Sequence, residues 1–130
     1  MTVLDASALL AYLLDEAGAG EVEQALGDEA AIGAVNLAEV LSKLSDAGED
    51  PDSAMGGITV LPLDVVPFDE DLAVESARLR PPSASAGLSL GDRACLALGR
   101  RLGRRVLTAD EAWVGLIPDV DVVAIRPLRT

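Results

Sequence analysis

Histidine is absent from this chain, and the absence excludes a large block of chemistry. No Ser-His-Asp triad and no His-paired ribonuclease mechanism is available, and the commonest general base is missing. A single cysteine, Cys95, rules out an internal disulfide, fits a reducing compartment, and closes structural zinc chemistry when histidine is also lacking. Any metal must therefore be a hard cation held by oxygen, such as Mg²⁺ or Mn²⁺. Aromatic side chains are limited to Tyr12, Phe68 and Trp113, too few for a platform on which several bases stack. Basic residues are scarce as well: 10 Lys and Arg stand against 22 Asp and Glu, a formal charge of −12. A broad basic surface that coats nucleic acid is thereby excluded, so contact with nucleic acid would rest on metals and a local arginine patch. No apolar run approaches the ~20 residues that span a bilayer. An acid stands where a secretory signal would carry its basic residues. The expectation is a cytoplasmic protein with no membrane partner.

Half of the residues are hydrophobic, and 130 residues suffice for a core. A chain of that size buries roughly two-thirds of its unfolded surface, which points to one domain over residues 1–130. Short apolar strands ("TVLD", "AAIGAV", "LDVVPF", "RRVLTAD", "VDVVAI") alternate with helical stretches ("ALLAYLLDE", "GEVEQAL", "NLAEVLSKLSDAG", "EDLAVESARLR", "LGDRACLALGRRLG", "EAWVGL"). "EDPDSAMGGITVLP" is ambiguous, because Pro51 suits a helix start while Gly56 and Gly57 oppose one. "PPSASAGLS" reads as a loop by composition. Near-continuous Val/Ile/Leu strands separated by helices predict an α/β fold with a mostly parallel sheet of about five strands, covered on both faces.

In such sheets ligands bind beyond the carboxyl ends of the strands. Four acids fall at that rim. Asp5 ends the first strand, Asp110 follows "RVLT", Glu39 lies one turn into the helix after "AAIGAV", and Asp92 lies in the first turn of the helix after Ser89. Carboxylates gathered within a few ångströms repel one another unless cations sit among them. Each acid also has a purely structural explanation. Asn36-Leu-Ala-Glu39 and Ser89-Leu-Gly-Asp92 have capping-box spacing, with Asn36 as a helix cap, and acids at helix starts complement the macrodipole. Arg93, beside Asp92, is placed either to touch a phosphate or to steady a neighbouring acid. Arg100, Arg101, Arg104 and Arg105 complement a helix C-terminus or form a phosphate strip. Asp69–Glu75 reads as a solvated helix face, Cys95 as a small core residue and Lys43 as solvent-facing. The mean hydropathy of +0.33 is high for a small protein and suggests an apolar surface covered by a partner, with "AYLLDEAGAGEVEQAL" and the helix from Asn36 as candidate faces.

"VLDASALLAYLLDE", "NLAEVLSKL", "LSLGDRACLALGRRLG" and "VLTADEAW", in this order from Thr2 to about Ile125, resemble a PIN-domain ribonuclease of the VapC toxin type. The resemblance implies a three-layer α/β/α fold and an acidic set at Asp5, Glu39, Asp92 and Asp110, supported by Ser7, Asn36 and Thr108. It also implies a Mg²⁺- or Mn²⁺-dependent endoribonuclease that acts on RNA, forms a homodimer and is held in check by a cognate antitoxin protein. The four acidic positions are intact, and the strongly acidic overall charge is the departure from that pattern. A catalytically silent PIN-like binding module is the alternative. An aspartate-nucleophile phosphatase would want an acid where Ser7 stands, and a response-regulator receiver would want a lysine later than Lys43.

Overall fold

The computed structural model describes residues 1–126. The expectation of one domain over 1–130 extends onto residues 127–130, which lie outside the described residues. The chain runs β1 (Thr2–Leu4), α1 (Ala6–Leu13), α2 (Ala19–Gly27), β2 (Ala30–Gly33), α3 (Ala34–Asp46), α4 (Pro51–Thr59) and β3 (Leu63–Val66). It continues through α5 (Glu70–Arg78), the short α6 (Arg80–Ser83), a 3₁₀ turn at Ala84–Ala86 and α7 (Leu90–Leu102). It closes with β4 (Val106–Thr108), a 3₁₀ turn at Glu111–Trp113 and β5 (Val122–Ala124).

The described strands form one five-stranded sheet in the order β3-β2-β1-β4-β5, and every pairing is parallel. Alternation along the strands divides the core in two. Leu4, Ile32 and Leu107 face a cluster filled by α1 to α4, including Leu9, Val22, Val40 and Ile58. Val3, Val106 and Val122 face the other way, against Leu72 of α5, Leu96 and Leu98 of α7, and Trp113. Helices therefore cover both faces, as the sequence pattern predicts.

The order of strands fixes where a site can form. From β1 the chain adds β2 and β3 on one side, then returns to add β4 and β5 on the other. The order reverses between β1 and β4, and at such a switch the outgoing connections diverge and leave a crevice beyond the strand ends.

Several boundaries differ from the sequence reading, each for a physical reason. α1 starts at Ala6, two residues earlier than expected, because the Asp5 carboxylate accepts the Ala8 N–H and caps the helix at once. β2 ends at Gly33 and Ala34 already belongs to α3, so Gly33 holds the N-cap position and Asn36 is not the cap. The Asn36 side chain is turned instead to Glu39 and to the carbonyl of Gly91 on α7. The stretch 81–89 is not a plain loop. Buried Leu79 anchors it, the Ser83 hydroxyl donates to the Leu79 carbonyl at 2.6 Å, and Pro81 and Pro82 sit in a first turn that requires no N–H. The ambiguous segment after Gly48 folds as α4, with Asp50 as its cap and Pro51 at its start.

Candidate active site

Asp5 leaves the end of β1 and is buried, with 4 % of its surface exposed. Three donor groups hold its carboxylate. Ala8 N–H donates to Oδ1 at 2.8 Å, the Ser7 hydroxyl donates to Oδ1 at 2.7 Å, and the Thr108 hydroxyl donates to Oδ2 at 2.6 Å. Thr108 ends β4, so the last bond crosses the switch point between β1 and β4. The same hydroxyls also tie down the loop that follows β4. Ser7 Oγ accepts from Ala109 N–H at 2.8 Å, and Thr108 Oγ1 accepts from Asp110 N–H at 3.0 Å. Ser7 and Thr108 thus each hold Asp5 with one hand of the hydroxyl and the Asp110 loop with the other.

The remaining three acids reach the same crevice from other elements. A cleft of about 230 Å³ is lined by Asp5, Glu39, Asp92 and Asp110 together with Asn36 and Trp113. Asp92 occupies the first turn of α7 in a complete capping box, with its Oδ2 accepting from Ser89 N–H at 2.9 Å and Ser89 Oγ accepting from Asp92 N–H at 3.1 Å. Asp110 caps the following 3₁₀ turn by accepting the Ala112 N–H at 3.0 Å. Glu39 accepts from Asn36 Nδ2 at 3.0 Å. For Asp5, Asp92 and Asp110 the capping explanation and membership of the cleft hold together, whereas Glu39 has no capping role.

Burial pushes the Asp5 carboxyl up to about 6, against the three hydrogen bonds that favour its charge, and the negative charge of Asp92 adds to the rise. Glu39 is raised as well, first by burial and then by Asp92, while Asn36 and Lys43 oppose the rise. Among the described residues no three acids are gathered tightly enough to hold one ion as they stand. The donor set nonetheless fits a hard divalent cation: all-oxygen, several negative charges, two of them made unfavourable by burial and by the charge of Asp92. An ion in the cleft would relieve both.

Other expectations are corrected in part and borne out in part. Arg93 neither touches an acid nor reaches out for a phosphate; it is buried, and its Nη1 donates to the Ser76 carbonyl at 3.0 Å. Lys43 is exposed as expected but lines the acidic cleft, one helical turn beyond Glu39. Arg100 and Arg101 pair with Asp119 and Asp69 at 2.7 and 2.9 Å, so two of the four arginines at that helix end are engaged by acids. Cys95 is buried in the core, and burial holds its thiol protonated. Sequence reasoning missed Trp113, buried under the cleft with no partner for its Nε1 among the described residues, and Gly91, against which Glu39 lies. A lone tryptophan three residues after Asp110 was an available signal; nothing in the sequence marks Gly91.

The sequence profile of the PIN domain matches residues 2–116. Among curated proteins no sequence matches the chain. The fold is similar to solved structures of toxin–antitoxin complexes. A complex from Klebsiella pneumoniae superposes with a TM-score of 0.72 at 21 % identity, covering 98 % of this chain and all of that one. VapBC2 from Rickettsia felis, bound to a DNA fragment from its promoter, gives 0.72 at 15 % identity, covering 95 % and 97 % of the two chains. VapBC-5 from Mycobacterium tuberculosis gives 0.59 at 25 % identity, covering 97 % and 98 %.

Proposed function

The chain belongs to the PIN-domain family, and from that premise we propose that it is a Mg²⁺- or Mn²⁺-dependent endoribonuclease acting as the toxin of a type II toxin–antitoxin pair. The observation that carries this reading is the position of Asp5, a buried carboxylate at the strand-order switch, in one cleft with three further acids and no histidine.

Asp5, Asp92 and Asp110 are the metal ligands in this reading, with Glu39 bound directly or through water. Those residues would hold a divalent cation, which would supply a water of lowered pKa and positive charge to offset the charge developing on the leaving 3′ oxygen. Thr108 and Ser7 donate to Asp5 and fix its carboxylate at the cleft. Through their second bonds, to Ala109 and Asp110, the two hydroxyls hold the Asp110 loop in register with Asp5. Asn36 holds the Glu39 carboxylate against α7. Lys43 is the cation at the cleft and is suited to meet an RNA phosphate there.

The proposal also covers one domain over 1–130, a homodimer, a cognate antitoxin as partner and a cytoplasmic setting. The antitoxin is supported by solved structures with this fold that are toxin–antitoxin complexes or members of such systems. The setting is compatible with the described helices, none of which is long and apolar enough to cross a membrane. Incubating the purified chain with structured RNA in Mn²⁺ or in EDTA tests the activity. Internal cleavage in Mn²⁺ alone is the expected result. Intact RNA in both would favour the binding-module alternative.

A further inference from the structure

Gly91 directly precedes Asp92 in the first turn of α7. A Cβ at this position would stand 2.5 and 2.6 Å from the two carboxylate oxygens of Glu39 and 2.7 Å from its carboxyl carbon. The backbone here has none of the positive φ that favours glycine, so space alone requires the missing side chain. Asn36 closes the same contact from the side. It is 2 % exposed, and its Nδ2 donates at 3.0 Å both to Glu39 Oε1 and to the Gly91 carbonyl. One amide thus joins α3 to α7 at the point where Glu39 rests on a bare Cα.

We propose that Gly91 is a positioning residue for Glu39: its missing side chain, with Asn36 as the bridge, seats that carboxylate beside Asp92 in the cleft. The inference rests on the reading of Glu39 as part of the metal site and adds the residue that decides where it lies. Gly99, two turns further along α7, shows the contrast. A Cβ there would meet Val106 Cγ2 at 2.5 Å and the Arg104 carbonyl at 3.3 Å, so that glycine serves the packing of α7 on β4. At Gly91 the three nearest atoms all belong to the far end of a flexible side chain, so a methyl group there displaces Glu39 before it presses on the core.

The test is a cycle of Gly91→Ala and Glu39→Asp on the full chain, read by Mn²⁺ titration, by the NMR resonances of the Asn36 side-chain amide, and by melting temperature. Gly91→Ala is expected to melt close to the parent, to bind Mn²⁺ about tenfold more weakly, and to shift the Asn36 amide. Glu39→Asp withdraws the carboxylate by one carbon. It should weaken Mn²⁺ binding in the parent yet restore part of it in the Gly91→Ala background, a reversal of sign that independent sites do not produce. If Gly91→Ala melts far below the parent, recovery of the melting temperature by Glu39→Asp supports the same contact, and no recovery overturns it. Unchanged Mn²⁺ affinity with an unmoved Asn36 amide also overturns it. A parent chain that neither binds Mn²⁺ nor cleaves RNA, while Gly91→Ala still shifts the amide, leaves the positioning intact and removes the nuclease reading instead.

Discussion

Asp5 and Asp69 each take the N-cap position of a helix with extended backbone, and each accepts an N–H from three residues on, at 2.8 Å from Ala8 and 2.9 Å from Leu72. Beyond that cap the two part. Asp69 is exposed and pairs with Arg101, and its carboxyl is lowered by the Leu72 N–H and by Arg101. Asp5 is buried, receives Thr108 from 103 residues away, faces Asp92, and is raised to about 6. Identical local chemistry therefore marks a helix start in both places. Only the strand order, which sets β4 beside β1, turns one of them into part of an acidic cleft.

The largest effect should separate the two acids in activity. Asp5→Asn is expected to lower Mn²⁺-dependent RNA cleavage by about 10³-fold or more, with the fold retained, whereas Asp69→Asn leaves the initial rate unchanged. Equal losses would reduce Asp5 to a cap and break the comparison.

Stability should separate them next, with opposite signs. Asp5 binds its proton more tightly folded than unfolded, so its contribution falls as pH rises from about 4 to about 6, and the full penalty, on the order of 3 kcal/mol, stands at neutral pH. In chelator at pH 7, Asp5→Asn should be the more stable protein, with the gap closing toward pH 4 in denaturant titrations. Mn²⁺ should then raise the parent's melting temperature more at pH 7 than at pH 5, where a proton competes for Asp5. Thr108→Val removes one donor to Asp5 and a tie to Asp110, and should weaken Mn²⁺ binding by roughly 10–100-fold in a direct titration. The smallest effect belongs to Asp69→Ala, which removes a cap and an exposed ion pair and should lower the melting temperature by a few degrees at neutral pH. That loss should shrink as the pH falls below the ordinary carboxyl value of 3.8 and the parent's Asp69 becomes protonated.

Period and punctuation made the fold readable from sequence. Strands such as Ala30–Gly33 and Val106–Thr108 are too apolar to face water, and Asp69 and Ser89 announce their helices through bonds made within three residues. The rim position of the four acids followed from the same alternation. What escaped depends on partners remote in the chain. Asn36 reads as a cap until Gly91 arrives from 55 residues away to accept its amide. Arg93 reads as a phosphate contact until α5 presents the Ser76 carbonyl. Lys43 reads as solvated because nothing local shows that α3 turns it toward the cleft. Residues 81–86 have loop composition, yet buried Leu79 and the Ser83 hydroxyl hold them in helical turns.

The chemistry of the cut ends tests the central claim most directly. Ends of an RNA cleaved by this chain in Mn²⁺, mapped by ligation with and without phosphatase, should carry 5′ phosphates and 3′ hydroxyls, and should vanish with EDTA or with Asp5→Asn. Cyclic phosphates, or cuts that persist in the chelator, would contradict an oxygen-held metal ion in the cleft of Asp5, Glu39, Asp92 and Asp110.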